Sequence, residues 1–232
     1  MALPAGDELE ERDGFILYRG AWPEGLVARV ATDDLERVRE EARAWCRERG
    51  LERFAWHVRP ELTDRVLAFG ATRSDYGPLA AMLLVEEPPA VPDVETQRVA
   101  SAADWLAWRE LVWDAFGMPE AERVQKRATH DEDWAALDPD YRADFVALLD
   151  GEIVAAASVV FTPQGGILMS GNTRPDKRGR GAYRALVRAR WNAVVERGTP
   201  ALTTQANPNS RPILERNGFT EITTIDVLGD TV

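Results

Sequence analysis

In the N-terminal part of the chain, some stretches have hydrophobic residues at the spacing of an α-helix and others at the spacing of a β-strand. The pattern predicts a helix over residues 33–49, which Asp33 or Asp34 would cap and Gly50 would end. Four of its apolar residues share one helical face: Leu35, Val38, Ala42 and Trp45. The other elements predicted in this part are a helix at 61–69 and strands at 14–18, 54–58 and 79–85.

The rest of the chain continues as strands and helices. Ser101 followed by Asp104 is typical of a capping box at a helix start. Asp150-Gly151 between two apolar runs indicates a hairpin, and a long amphipathic helix is predicted over residues 180–197. The remaining predictions are strands at 94–99, 144–149, 152–162, 167–173, 201–206 and 219–228, a helical or irregular stretch at 121–134, a turn at Gly165-Gly166 and a short helix at 210–216.

Three prolines between residues 86 and 92 mark the sharpest break in this pattern. Proline joins neither a helix interior nor a central strand, so we interpret the segment as a linker. Two domains are therefore expected, a smaller one at residues 1–90 and a larger one at residues 93–232.

An internal repeat with an offset of 148 residues relates these two parts. Without a gap, Glu48-Arg49-Gly50 falls on Glu196-Arg197-Gly198. The same offset aligns three further identical pairs: Pro60 with Pro208, Gly70 with Gly218 and Thr72 with Thr220. Both copies read helix, Gly, strand, Pro, short helix, Gly, strand. This shared order favours duplication over chance identity.

Composition and charge exclude several classes of protein. The 232 residues include 45% hydrophobic ones, enough for a sizeable core, and their net charge is −11. A broad electrostatic interaction with nucleic acid or anionic lipid is therefore not expected. Cys46 is the single cysteine, so no intrachain disulfide can form, and two histidines offer little for a zinc site. Because no apolar run suits a membrane span or a signal peptide, we expect a cytoplasmic protein.

The segment before the long helix carries the most specific chemistry. It reads Arg178-Gly179-Arg180-Gly181-Ala182-Tyr183. Glycines at a helix N-terminus let backbone N–H groups point into one cavity, where the helix dipole and both arginines add positive potential. A pyrophosphate cradle fits this pattern, and a plain glycine-rich turn with exposed arginines is the alternative. The Gly-Lys-Ser/Thr of a P-loop is absent, and Arg184 stands where a dinucleotide fingerprint needs a small residue.

A second segment follows the next predicted strand, and together the two resemble the GNAT acyltransferase superfamily over residues 94–228. The cofactor loop of that family reads Arg/Gln-x-x-Gly-x-Gly/Ala, which residues 178–183 fit except at the last position. The later family motif is Asn-x-x-Ala/Ser before a short helix that ends in Gly-Phe. Its matches in this chain are Asn207, Ser210, Gly218 and Phe219.

The resemblance implies an α/β (α+β) fold with a mixed, mostly antiparallel sheet and helices on both faces. It also implies acetyl-CoA as a co-substrate, with no metal, entering where the strands at 167–173 and 201–206 separate. Backbone groups of Gly171, Asn172 and Thr173 would contact the pantetheine arm, and residues 178–183 would hold the pyrophosphate. Asn207 would form a hydrogen bond with the pantetheine arm near the thioester. An uncharged amine would attack that thioester, helped by a base, an acid and backbone N–H donors.

Three positions depart from the family pattern. Tyr183 replaces the small residue at the end of the loop, so its ring must point away from the phosphates or stack over CoA. Leu214 stands where a tyrosine often serves as the acid. Ser210 precedes it by one helical turn and could position a water at the sulfur, or could be a small packing residue beside Asn207. No carboxylate lies on the strand at 167–173, where the family often has its base.

Two functions stay open at this point. One is an acetyl-CoA-dependent N-acetyltransferase for a primary amine of a small molecule or peptide, and the other is a non-catalytic acyl-CoA-binding sensor or assembly module. Acidic residues at 114–140 would attract a cationic amine, or form an ordinary solvated loop. His130 and Trp134 could line an acceptor pocket, or be a surface histidine and a buried aromatic. Neither nucleic acid nor membrane is expected as a partner, and the chain could form a homodimer.

The repeat predicts a structural role for the N-terminal copy. At the same offset, residues 30–35 correspond to the loop at 178–183, and both glycines and both arginines are missing. Asp33 and Asp34 would repel phosphates there, and Arg59 takes the place of Asn207. We therefore expect a degenerate, GNAT-like half domain that binds no cofactor.

Overall fold

The computed structural model describes residues 8–20, 24–75 and 77–232. The strands within these ranges are β1 (Glu8–Arg12), β2 (Phe15–Arg19), β3 (Gly25–Ala28), β4 (Arg53–Val58), β5 (Thr72–Arg73), β6 (Leu79–Leu84), β7 (Glu95–Arg98), β8 (Arg142–Leu149), β9 (Glu152–Thr162), β10 (Gly165–Thr173), β11 (Leu202–Ala206) and β12 (Thr220–Thr231). The α-helices are α1 (Leu35–Glu48), α2 (Pro60–Leu67), α3 (Ala102–Ala115), α4 (Glu120–Ala128), α5 (His130–Ala135), α6 (Ala182–Glu196) and α7 (Arg211–Glu215).

The chain divides into two compact units that do not follow sequence order. The first comprises the described residues up to Met82 together with Gln205–Ile213 and Glu221–Val232, and the second comprises Leu83–Thr204 and Leu214–Thr220. Because each unit contains segments from separate parts of the chain, the two units do not correspond to domains that are continuous in sequence. The predicted domains, 1–90 and 93–232, stay a prediction.

In the first unit, strands are hydrogen-bonded in the order β1-β2-β3-β4-β12-β6. The strands β3 and β4 run parallel, whereas the pairs β1–β2, β2–β3 and β4–β12 are antiparallel. The predicted apolar face of α1 is buried in the core of this unit, as its helical spacing requires. The strand β12 thus provides the first unit with residues from the C-terminal end of the chain.

In the second unit, the strand order is β11-β10-β9-β8-β7. β10 and β11 are parallel, and the other neighbours are antiparallel. Trp105 and Trp108 of α3 pack with Val146 and Ala156 on one face of this sheet. On the other face, α6 approaches so closely that a Cβ on Gly166 would lie 2.7 Å from Val194. The predicted mixed, mostly antiparallel sheet with helices is confirmed.

Local sequence signals set several element ends. Ser101 Oγ accepts a hydrogen bond from Asp104 N at 3.1 Å, so the capping box begins α3 as predicted. Asp150 and Gly151 have φ values of 55° and 80°, which a two-residue hairpin turn needs. The turn predicted at Gly165-Gly166 is wrong, because these two glycines are the first residues of β10. The helix α6 begins at Ala182, two residues later than predicted.

Three strands were not predicted from the sequence: β1, β3 and the two-residue β5. β1 reads Glu-Leu-Glu-Glu-Arg and lies at the edge of its sheet, where charged side chains remain in solvent. β3 has four residues, too short for a period-two pattern to be recognised. Within the described ranges, no helix combines the length and the apolar character that crossing a bilayer requires.

Candidate functional site

The ladder between β9 and β10 is interrupted near the end of β10. Met169 pairs with Ser158, and regular pairing resumes only at Asn172. Ser170 and Gly171 therefore form a β-bulge, a feature that redirects backbone groups. Ser170 has a φ of 52°, a left-handed conformation that a residue with a side chain seldom adopts. Strain of this kind concentrates at functional sites, so the bulge is a candidate position for chemistry.

The ladder between β10 and β11 ends early on the other side. Its last pair is Ile167 with Thr203, although β10 continues to Thr173. Beyond that pair, the Thr204 hydroxyl donates to the Leu168 carbonyl at 3.2 Å. The separation that the resemblance implied for these strands begins at this point. It leaves the bulged end of β10 outside the β11 ladder.

The loop after β10 leads into α6 without a side-chain cap. A short 3-10 turn, Pro175–Lys177, is followed by Gly179 and Gly181, whose φ values of 79° and 88° suit glycine. Gly181 is the residue before the first helical turn, and no side chain caps the helix there. The N–H groups of Ala182 and Tyr183 lack intrahelical acceptors and carry the positive end of the helix dipole. This helix start is suited to an anion.

Two arginines beside this helix start are only weakly engaged. Arg178 Nε donates to the Thr173 carbonyl at 3.3 Å, and Arg180 pairs with Asp150 at 3.2 Å. The Arg180 and Asp150 side chains are 48% and 83% exposed, so their ion pair is screened by solvent and contributes little. A bound phosphate could replace it.

The other cations of the loop are already neutralised. Glu152 pairs with Lys177 at 2.9 Å and also with Arg174. Hydrogen bonds from Lys177 and then from Arg174 lower the pKa of Glu152, so it stays ionised. Arg178 and Arg180 are therefore the cations of this loop that Glu152 does not neutralise, and the contacts predicted for them with a cofactor stay predictions.

Tyr183 packs against the bulge. A Cβ on Gly171 would lie 2.9 Å from Cε2 of Tyr183, so glycine provides the space that the ring occupies. The ring thus lies against β10. The contact predicted for Tyr183 with a phosphate stays a prediction. No local pattern in the sequence predicts that Gly171 and Tyr183 are neighbours.

Asn207 and Ser210 lie in the part of the chain that belongs to the first unit. Asn207 Oδ1 accepts hydrogen bonds from the N–H groups of Asn209 and Ser210, both at 3.0 Å, just before α7. The Ser210 hydroxyl lies 3.2 Å from the same oxygen. These bonds agree with Ser210 as a small residue beside Asn207. The roles predicted for both at a cofactor stay predictions.

The start of α1 contrasts with the start of α6. Asp34 caps α1 by accepting a hydrogen bond from Arg37 N at 3.1 Å. Asp33 pairs with Arg65 at 2.9 Å, and Glu36 adds a further carboxylate in the first turn. A carboxylate of the chain itself therefore occupies the position that an anionic ligand would need.

His130 is a core residue, which corrects the alternative of a surface histidine. It is 8% exposed and stacks on Trp105, with ring centroids 5.2 Å apart. Its Nε2 lies 2.8 Å from the Ala102 carbonyl and its Nδ1 lies 3.3 Å from Arg109, which fits a neutral ring protonated at Nε2. Trp134, by contrast, lines an open cleft of about 300 Å³ in the second unit.

A buried carboxylate in that cleft was missed by sequence reasoning. Asp144 accepts hydrogen bonds from Trp105 Nε1 at 3.0 Å and from Arg142 Nε at 2.8 Å. Arg142 also donates to Ser158 Oγ at 3.1 Å. The available signal was an aspartate within an apolar strand. Among the residues described, no cluster of three or more His, Cys, Asp or Glu side chains is placed to hold a metal ion.

Comparisons with known proteins report on the fold of the chain. A family model described as FR47-like protein matches residues 145–227, and no curated protein matches the sequence. A GCN5-related N-acetyltransferase from Kribbella flavida has a TM-score of 0.72 at 14% identity, covering 97% of this chain and 90% of that one. A tandem GNAT protein from the clavulanic acid biosynthesis pathway has a TM-score of 0.66 at 16% identity, covering 99% of this chain and 84% of that one.

A third structure, a GCN5-related N-acetyltransferase from Sphaerobacter thermophilus, has a TM-score of 0.64 at 15% identity. It covers 94% of this chain and 76% of the other. Similarity at these identities reports the path of the backbone and leaves substrate and activity open. The chain therefore has the fold of the GNAT N-acetyltransferases.

Proposed function

We propose that this protein is an acetyl-CoA-dependent N-acetyltransferase that acts on a primary amine of a small molecule or peptide. The observation that carries the proposal is the uncapped start of α6, where Gly179 and Gly181 adopt left-handed conformations beside two arginines. A pyrophosphate is the ligand that such a start suits best, because each phosphate can accept several N–H hydrogen bonds.

The neighbouring backbone fits the rest of acetyl-CoA. The pantetheine arm would lie along the end of β10, which continues past its ladder with β11. Thr173 Oγ1, at this end of β10, is buried and has no hydrogen-bond partner among the residues that the structure describes. A buried hydroxyl without a partner is costly, and an amide of the arm would satisfy it.

The bulge offers backbone groups that the proposed acetyl transfer requires. An amine nitrogen would form a bond to the thioester carbonyl carbon, and the carbon–sulfur bond would then break to release the CoA thiolate. N–H groups of the bulge at Ser170 and Gly171 are our candidates to stabilise the oxyanion between these steps. The amine must lose a proton and the thiolate must gain one. The role predicted for Ser210 stays a prediction.

We also propose that the first copy is degenerate and binds no acetyl-CoA. The offset of 148 residues relates the observed ends of α1 and α6, Glu48 and Glu196. It also relates β4 to β11 and α2 to α7, so the element order supports duplication. The difference lies at the helix starts, since Asp34 caps α1 and Gly181 leaves α6 open.

The second candidate function is a non-catalytic acyl-CoA-binding module. Leu214 favours it, because this residue is buried and aliphatic where the family often has its acid. Release of free CoA thiol from acetyl-CoA, measured across a panel of amines, separates the two candidates. The enzyme predicts release that depends on one class of amine. Tight binding of acetyl-CoA without release for any amine would favour the binding module.

A further inference from the structure

Arg190 is the most unusual buried charge in the second unit. Its side chain on α6 is fully buried. Nε donates to the Leu186 carbonyl at 2.9 Å and Nη1 donates to the Ser158 carbonyl at 3.3 Å. Nη2 has no hydrogen-bond partner, and no carboxylate within the described ranges forms an ion pair with this guanidinium.

Stability does not account for an arginine at this position. Burial lowers the pKa of Arg190, and its interaction with Tyr183 opposes that effect only in part. A buried charge without a counter-ion is destabilising, and an apolar side chain of similar size is often neutral or better. The reason for an arginine at position 190 must therefore lie in the groups that its side chain contacts.

Its contacts lie around the bulge of β10. Ser158, whose carbonyl accepts from Arg190, pairs with Met169, the last residue before the bulge. The guanidinium carbon also lies 5.8 Å from the ring centroid of Tyr183, the ring that packs against Gly171. One side chain thus contacts the strand facing the bulge and the ring that covers it.

The opposite face of the sheet provides a second support. Trp108 of α3 donates its indole N–H to the Ala157 carbonyl at 3.2 Å. Ala157 is the single residue of β9 that faces the two bulged residues. Side chains of α3 and α6 therefore donate hydrogen bonds to adjacent carbonyls of β9, those of Ala157 and Ser158.

We propose that Arg190 is a positioning residue that holds the β10 bulge in its strained conformation. It does so by fixing the Ser158 carbonyl and by keeping the Tyr183 ring over Gly171. The consequence for catalysis rests on the proposed function, since the bulge N–H groups would then face the thioester carbonyl. The structural part of the proposal holds without any ligand.

The test uses three variants of the full chain: Arg190→Met, Arg190→Lys and, as a control, Arg188→Met. Arg188 is also on α6, and it donates to the Pro88 carbonyl, away from the bulge residues. In ligand-free protein, Arg190→Met should shift the backbone amide signals of residues 169–172 and speed exchange at Met169 and Asn172 about tenfold, while the melting temperature stays level or rises. Arg190→Lys should restore part of the protection, and Arg188→Met should leave these signals unchanged.

Wild-type amide signals and exchange at residues 169–172 in Arg190→Met would overturn the proposal. So would changes there that merely follow a general loss of stability. A second measurement addresses the catalytic consequence, namely the ratio of affinities for acetyl-CoA and free CoA. Arg190→Met should lower this ratio towards one, because free CoA has no acyl carbonyl to which the bulge N–H groups could donate. If the wild type binds neither compound, the proposed function fails, whereas the amide measurement still decides the role of Arg190.

Discussion

Single side chains determine whether a helix start in this protein can accept an anion. Asp34 places a carboxylate on the first N–H groups of α1, whereas Gly181 leaves those of α6 without a cap. The difference is a few atoms, yet it reverses the charge that a phosphate would meet. Two other residues of the first unit, Cys46 and His57, have environments that can be tested directly.

Cys46 should be unreactive in the folded protein. Burial raises the pKa of its thiol to about 11, with Arg49 opposing the shift only weakly, and the residue is 1% exposed. Because the thiolate is the reactive form, we expect iodoacetamide at pH 8 to modify Cys46 only after the protein is unfolded in urea. Labelling of the folded protein at the rate of an exposed cysteine peptide would contradict this environment.

His57 should make the protein less stable in mild acid. Burial lowers the pKa of its imidazole below the ordinary 6.5, so the unfolded chain takes up a proton more readily than the folded one. Its contribution to stability is therefore complete above pH 6.5 and is lost as the pH falls below that value. The unfolding free energy of His57→Gln, measured in urea at pH 7.5 and pH 5, should change less than that of the wild type. Parallel pH profiles would contradict the assignment.

At the scale of elements, β12 joins the first unit through a buried ion pair. Asp230 accepts two hydrogen bonds from Arg39, at 2.8 and 2.9 Å, and a third from Trp56 Nε1 at 3.3 Å. The hydrogen bond to Asp230 raises the pKa of Arg39, against the opposing effect of burial. Strand pairing with β4 adds backbone hydrogen bonds along the same strand. The stability of the first unit therefore depends on residues near the C-terminus.

Asp230→Ala should destabilise the protein strongly. The substitution leaves Arg39 and Trp56 without their acceptor, which for a buried pair costs about 3–5 kcal/mol. Arg53→Ala is the control, because its ion pair with Glu24 involves an arginine side chain that is 67% exposed and is worth at most about 1 kcal/mol. Urea denaturation measures both. Equal effects of the two substitutions would show that Asp230 is not a structural anchor of β12.

Elements with strong local signals could be predicted from the sequence, and elements fixed by tertiary contacts could not. The apolar face of α1, the capping box at Ser101 and the hairpin at Asp150-Gly151 each follow from a few adjacent residues. The bulge at Ser170 has no such signal, because it is a shift of register between two paired strands, which the residues of one strand alone do not specify. The packing of Tyr183 on Gly171 joins residues that are distant in the chain.

At the scale of the whole molecule, local charge differs in sign from total charge. The net charge is −11, yet residues 174–184 contain five basic side chains and one acidic one, Asp176. The motif at 178–183 could be found from sequence because phosphate binding uses backbone N–H groups, which need glycine at fixed positions. An acceptor pocket uses side chains from several elements, so Asp144 became a candidate only in the structure, where it lines the same cleft as Trp134.

Calorimetric titration with acetyl-CoA tests the central claim most directly. The wild type should bind one molecule per chain, because α2, α4, α5 and α6 all start without a side-chain cap in the described part of the chain, and of these four α6 alone has no acidic residue in its first turn. The double substitution Arg178→Glu, Arg180→Glu should weaken binding at least about 100-fold, since two charge-assisted contacts become repulsive. Arg47→Glu, an exposed charge reversal on α1, is the control and should bind as the wild type does. No heat with the wild type, or equal affinity in the double variant, would contradict the account.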